Sequence, residues 1–125
     1  MKVLVGYDGS DYAKRAIDQA IVITKALGGT ITVLNVFDII NTEEKGSMML
    51  DDIEKDKLKD AGVDYELRME GSDQIAYTLC KIAEDEGFDL IAIGRKGDSI
   101  VHTWLYGSVA DKVFSAATCP VLIVP

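Results

Sequence analysis

Short apolar segments alternate with segments of helical periodicity along the chain, and this alternation restricts its fold more than any other feature. Residues 2–5 and 89–94 form apolar runs typical of strands that are buried on both faces. Thr30–Phe37 is rich in β-branched residues, and residues 120–125 form a further apolar run. Residues 63–70 alternate apolar and charged side chains, which indicates an edge strand with one wet face. Strands separated by helices predict a parallel sheet.

The first helix is expected to follow Ser10 as its N-cap and to end at Gly28 and Gly29. Residues 38–49 show no clear period and contain a glycine and a serine, so we expect a flexible connector there. A short charged helix is predicted from Leu50 to about residue 61.

Two further helices are predicted in the second half of the chain. Ser72 is the expected N-cap of one, and Gly87 ends it. The other runs from about residue 107 to 117 and is expected to bury Val109, Val113 and Phe114.

With right-handed crossovers, these elements fit a five-stranded, doubly wound parallel sheet of order 3-2-1-4-5. The predicted fold is a flavodoxin- or Rossmann-like three-layer α/β sandwich, with residues 1–125 as a single domain. The strand order reverses between strands 1 and 4, where open α/β sheets bind ligands at their carboxyl ends. The two loops at that point are GYDGS, residues 6–10, and GRKG, residues 94–97.

Composition excludes several classes of function. The net charge of −8 argues against nonspecific binding of nucleic acid, which requires a basic surface. No apolar run is long enough to span a bilayer. Cys80 and Cys119 are far apart and accompanied by one histidine, so no zinc-type cluster is expected. We interpret both cysteines as reduced thiols and expect a cytoplasmic location.

The glycines after strand 4 indicate an anion site. Gly94 and Gly97 are expected to turn the chain sharply out of the strand. Gly107 and Ser108 begin the last helix, where free amides, the helix dipole and a hydroxyl favour a phosphate. Arg95, followed by Lys96, adds positive charge, either as a phosphate contact or as a solvated loop side chain. A tight turn without any ligand is the alternative interpretation.

Asp8, just beyond strand 1, is a natural partner for a ribose hydroxyl or a bound Mg²⁺, or else a turn aspartate. His102 lacks an obvious nucleophilic partner and is interpreted as a surface residue. A phospho-receiver domain is excluded, because strand 3 ends in RMEGS and strand 5 ends the sequence without the required lysine. A flavin carrier is disfavoured by the two acids in GYDGSD.

The spacing G-x2-G-x9-G-S from Gly94 to Ser108 resembles the nucleotide-binding signature of the universal stress protein family. The segments VLVGYDGS and GSVADKVFSAATCPVLIVP are similar to the start and end of that family's domain. The resemblance implies an ATP-type ligand, accompanied by Mg²⁺ or Mn²⁺, and a homodimer. The positions that match the family's nucleotide contacts are Asp8, Val36, Gly94, Gly97, Gly107, Ser108 and Val109, and Tyr7, which flanks Asp8, is included in the predicted nucleotide site.

We therefore predict a dimeric stress-response or signalling module that binds adenine nucleotide and is at most a slow ATPase. Two departures from the family pattern favour an alternative, a nucleotide-free dimeric interaction module of the same fold. Asp98 could repel phosphate, and Ala110 replaces a hydroxyl-bearing residue. The apolar last strand, Val121–Val124, would pair with its copy in a second chain.

Overall fold

All five predicted strands are present in the computed structural model, which describes residues 1–96 and 108–125. They are β1 (Lys2–Gly6), β2 (Thr30–Phe37), β3 (Asp64–Gly71), β4 (Leu90–Gly94) and β5 (Val121–Val124). The strands form one sheet in the order β3-β2-β1-β4-β5, and each neighbouring pair is parallel. The predicted strand order is therefore confirmed.

Helices cover both faces of the sheet. They are α1 (Asp11–Leu27), α2 (Glu43–Ile53), which continues into a π-helical segment Glu54–Leu58, α3 (Ile75–Asp85) and α4 (Ser108–Ala116). One buried cluster joins the sheet to α1 and α2, and a second joins it to α3 and α4. This three-layer α/β architecture agrees with the prediction.

The strand order reverses next to β1, which lies between β2 and β4. Val5 of β1 is in register with Val33 of β2 on one side and with Ala92 of β4 on the other. The residues that leave β1 and β4 therefore emerge side by side at the carboxyl edge of the sheet, where ligands bind in doubly wound folds.

The N-cap predicted for α1 is confirmed. The buried hydroxyl of Ser10 accepts a hydrogen bond from the amide of Ala13 at 3.1 Å. At the other end of the helix, Gly28 adopts a φ of 76° and its amide donates to the carbonyl of Thr24. An N-cap serine and a glycine at the end are the residues expected to bound such a helix.

The prediction of a flexible connector over residues 38–49 is wrong, because α2 already begins at Glu43. Thr42 caps that helix. Glu43 and Glu44 lie in its first turn, where acidic side chains interact favourably with the positive end of the helix dipole. Gly46 obscured the pattern because glycine disfavours helices. Its role is close packing: a Cβ at this position would lie 2.7 Å from the Cε atom of Met69.

Two details of the later helices are also wrong in the prediction. The helix cap assigned to Ser72 is displaced, because α3 begins at Ile75 and Ser72 Oγ accepts from the amide of Gln74 instead. Phe114 was expected to be buried, but it is 71% exposed, whereas Val113 is fully buried. A helical turn places consecutive residues about 100° apart, so the two side chains leave α4 in different directions.

Candidate functional site

The loop after β1 holds Asp8 at the carboxyl edge of the sheet. The residue is only 4% exposed, and its Oδ1 atom accepts a hydrogen bond from the amide of Ser10 at 3.0 Å. Gly9 between them has a φ of 83°, a conformation that side chains disfavour. The turn therefore fixes the Asp8 carboxylate and starts α1 at the same time.

Tyr7 contributes its main chain to this edge, while its ring lies elsewhere. The Tyr7 amide donates to Leu34 at 2.9 Å, and its carbonyl accepts from the side-chain amide of Asn35 at 3.0 Å. The side chain is 2% exposed within the cluster of α1 and α2. Burial raises the pKa of the Tyr7 hydroxyl above its ordinary value, with a further contribution from the neighbouring Asp8 carboxylate.

Asp8 and Val36, two of the predicted site residues, line the same cleft of only about 10 Å³ between the ends of β1 and β2 and α2, so this gap brings the two residues together without itself holding a nucleotide. Sequence reasoning missed the other residues that line it, which include an amide, a lysine and a methionine. The one signal for them is Asn35, a buried polar residue in an otherwise apolar stretch of β2. The complete lining is Asp8, Asn35, Val36, Asn41, Lys45, Gly46 and Met49.

Gly94 ends β4 and has a packing role that the sequence did not indicate. It is still paired with Val124 of β5, and the next amide, that of Arg95, donates to the Val124 carbonyl at 2.6 Å. The chain bends at Arg95 and Lys96, directly after Gly94, so the predicted turn out of the strand begins there. A Cβ at this position would lie 2.6 Å from the Cβ atom of Tyr12, so the glycine allows α1 to pack against the strand end.

Arg95 and Lys96 extend from β4 toward α1. Their charged groups lie 5.5 Å and 5.3 Å from the centre of the Tyr12 ring. Hydrogen bonding by Lys96, and secondarily by Arg95, lowers the pKa of the Tyr12 hydroxyl. The predicted positive charge is therefore present at this end of the sheet.

Val109 lies in a second cleft of about 330 Å³, between the first turns of α3 and α4, and is not among the residues that line the Asp8 cleft. Ala110, which replaces a hydroxyl-bearing residue of the family pattern, is 5% exposed and packs into the core. Gly97 and Gly107 lie outside the described residues, as do Asp98, His102 and the side chain of Ser108. The residues that line this second cleft are Asp38, Asp73, Gln74, Ile75, Ala76, Tyr77, Val109 and Lys112.

Over residues 1–96 and 108–125, no group of three or more histidine, cysteine or acidic side chains is arranged to hold a metal ion. Cys80 and Cys119 are free, half-buried thiols whose pKa values are raised, mainly by burial. In the same part of the chain, no helix is long and apolar enough to cross a membrane.

Comparison with known proteins gives a consistent result. The family model for the universal stress protein family matches residues 1–125. A curated relative, universal stress protein YxiE of Bacillus subtilis, is 30% identical over an alignment that covers 98% of this chain and 97% of that protein.

Solved structures of similar proteins share the whole fold. A universal stress protein in complex with cAMP is 29% identical, with a TM-score of 0.80, covering 100% of this chain and 96% of that one. A universal stress family protein from Burkholderia pseudomallei is 26% identical, with a TM-score of 0.77, covering 99% and 95% of the two chains. The family match over the full sequence, together with the strand order, shows that this chain belongs to the universal stress protein family.

Proposed function

We propose that the protein binds an adenine nucleotide of the ATP type at the carboxyl edge of its sheet, as a stress-response or signalling module. The observation that carries the proposal is that Asp8 and Val36 lie together at the carboxyl edge of the sheet, at the ends of β1 and the neighbouring strand β2, next to the reversal of strand order between β1 and β4. A relative that is 29% identical was solved with cAMP, which supports the same ligand class for this chain.

We assign separate protein groups to the base and sugar of the nucleotide and to its phosphates. The fixed carboxylate of Asp8 can accept hydrogen bonds from a ribose hydroxyl or from the adenine amine. Val36 is the last residue but one of β2, and we assign its main chain as a contact to the base. The amide end of α4, which begins at Ser108, favours phosphate through its dipole. Gly97 and Gly107 belong to the proposed site on the strength of the sequence motif alone.

A triphosphate would bring Mg²⁺ or Mn²⁺ with it, and its phosphates and water would supply most ligands. Asp8 is the protein group that we assign as a candidate contact to the ion. Because we assign no residue as a general base that would activate an attacking water, we propose slow hydrolysis at most. The unpaired thiols Cys80 and Cys119 support a cytoplasmic location.

We also propose that the chain forms a homodimer through β5. Within the described residues, β5 pairs only with β4, so its other edge is open, and Val121, Leu122 and Ile123 are half-buried. Phe114 lies on the flank of α4 opposite Lys112, which faces α3, and is therefore on the side of the outer strand. A symmetric pairing of β5 would cover this apolar side chain.

Calorimetric titration with Mg-ATP tests the nucleotide proposal. We expect saturable binding, about tenfold weaker in Asp8→Asn because a charge-assisted hydrogen bond is lost. Asp11→Asn is the matched control, since it removes the same charge from an 80% exposed side chain nearby and should change the affinity less than twofold. Absence of heat up to millimolar Mg-ATP would favour the nucleotide-free interaction module.

A further inference from the structure

A cleft of about 210 Å³ lies between the loop after β1, the first turn of α1, and α2 with its π-helical extension. It is on the face of the sheet that α1 and α2 cover, and π-helical turns occur frequently at functional sites. The described residues that line it are Tyr7, Gly9, Lys14, Met49, Asp52, Ile53, Lys55 and Asp56. Asp8 and Val36 are not among them, so the proposed nucleotide site does not account for this cleft.

The hydroxyl of Tyr7 is the first reason to expect a ligand in this cleft. The Tyr7 side chain is 2% exposed, yet its hydroxyl forms no hydrogen bond within residues 1–96 and 108–125. A buried tyrosine hydroxyl ordinarily has a partner, because burial removes the hydrogen bonds that it made to water. Tyr65 follows this rule, since its hydroxyl donates to the Glu54 carboxylate at 2.7 Å. The Tyr7 hydroxyl therefore remains available to a molecule in the cleft.

Two carboxylates lie at the same cleft. Asp52 and Asp56 are four residues apart along one continuous helical segment, and within the described part of the chain neither forms an ion pair. Side chains at this spacing are neighbours on a helix, so their like charges repel each other. Burial, then Asp8, then Asp56 and Asp52 raise the pKa of Tyr7, so both carboxylates lie close enough to act on its hydroxyl.

The number and kind of these groups favour an ammonium group over a metal ion. Calcium and magnesium require about six oxygen ligands or more. Over residues 1–96 and 108–125, no group of three or more acidic, histidine or cysteine side chains is arranged to hold a metal ion. A primary ammonium donates three hydrogen bonds, which two carboxylates and one phenol oxygen can accept. Met49 and Ile53 supply apolar surface for a short hydrocarbon chain beside it.

We propose that Tyr7, Asp52 and Asp56 form a binding site for the ammonium group of a small molecule that carries a short apolar chain. The site goes beyond the proposed function, because the nucleotide is assigned to the carboxyl edge of the sheet. Lys14 and Lys55 line the same cleft, and Lys55 forms no ion pair among the residues that the structure describes. These lysines can pair with a carboxylate on the same molecule. The ligand is therefore a free amine or an amino acid, which differ in whether Lys55 contributes.

Amide chemical shifts recorded during titration with three related probes test the site. Leucine carries an ammonium, a carboxylate and a branched apolar chain, whereas isoamylamine lacks the carboxylate and 4-methylpentanoate lacks the ammonium. We expect isoamylamine and leucine to cause saturable shifts at the residues that line the cleft, and 4-methylpentanoate to cause none. Tighter binding of leucine that Lys55→Gln reduces to the level of the amine would identify an amino acid. Equal or tighter binding of isoamylamine would identify a free amine.

Matched variants assign the binding to the three named groups. Asp52→Asn and Asp56→Asn should each raise the dissociation constant of isoamylamine about fivefold, and Tyr7→Phe should raise it about threefold. Asp51→Asn is the control, because it removes the same charge from the adjacent exposed position, which is not part of the cleft lining. It should change the dissociation constant less than twofold.

Three results would overturn the proposal. The first is the absence of shifts with both ammonium probes at high millimolar concentration. The second is binding of 4-methylpentanoate as tight as that of isoamylamine, which would show that the ammonium is not recognised. The third is a loss in Asp51→Asn as large as that in Asp52→Asn, which would show only general attraction of a cation to an acidic helix.

Discussion

The side-chain amide of Asn35 donates a hydrogen bond to the main-chain carbonyl of Tyr7 across 3.0 Å, and Asn35 is 5% exposed. This bond ties the end of β2 to the loop that leaves β1. It therefore holds Asp8 and Val36 in one cleft. Asn35, a polar residue in a strand rich in β-branched residues, therefore has a structural role, and the same hydrogen bond positions the candidate site.

Asn35→Ala should lower the free energy of unfolding by about 1–3 kcal/mol, because it leaves a buried carbonyl without its donor. Urea denaturation at pH 7 measures the change. Since the same bond positions Asp8, affinity for Mg-ATP should fall as well. A variant as stable as the parent would show that water replaces the amide.

Gly46→Ala should destabilise the protein by about 1–3 kcal/mol, although alanine favours helices, because the new methyl group meets Asn35 and Met69. Ser47→Ala, at the next and exposed position of α2, is the control and should be neutral or slightly stabilising. Thermal denaturation of both variants gives the comparison. Stabilisation by Gly46→Ala would contradict the close packing described here.

Ser10→Ala should lower the free energy of unfolding by about 1–2 kcal/mol, because α1 loses a buried N-cap. Thr42→Ala removes the longer cap bond of α2, at 3.4 Å, and should cost less. The reverse order of the two losses in urea denaturation would indicate that the α1 cap contributes little.

The Glu86 carboxylate accepts a hydrogen bond from Arg68 at 2.7 Å, and this bond lowers the pKa of Glu86. A lowered folded-state pKa gives stability that is present above the unfolded pKa, about 4.3, and is lost as pH falls through the folded value. Because the pair is partly exposed, Glu86→Gln should cost less than about 1 kcal/mol at pH 7. Urea denaturation from pH 7 to pH 3 should show this difference closing in acid; a constant difference would refute the assignment.

Phe114→Glu should shift the proposed dimer toward monomer, because it places a charge beside the open edge of β5. Met48→Glu changes another exposed apolar side chain, on the opposite face of the sheet, and should leave the association unchanged. Sedimentation velocity at micromolar concentration separates the two results. A monomeric parent protein would contradict the dimer itself.

The pattern of apolar and polar residues within the strands, together with right-handed crossovers, was enough to predict the strand order. The apolar run of β4 and the alternating residues of β3 correctly indicated a central strand and an edge strand. The start of α2 was missed because Gly46, required for packing against a distant strand, resembles a helix breaker. Such a contact between remote residues leaves no local signal.

The candidate site was predictable in part for the same reason. Asp8 and Val36 were expected at one edge of the sheet, and they line one cleft. The packing role of Gly94 was missed, because a glycine required by close approach of Tyr12 looks the same in sequence as one required by a turn. The approach of Arg95 and Lys96 to Tyr12 arises from the packing of α1 on β4, and no spacing in the sequence indicates it.

Amide chemical shifts recorded during titration with Mg-ATP test the central claim most directly. The account predicts saturable shifts at Tyr7–Ser10, at Val36, at Gly94–Lys96 and in the first turn of α4, and none along the outer face of α3. Shifts confined to other surfaces, or no shifts at millimolar Mg-ATP, would contradict a nucleotide site at this edge of the sheet.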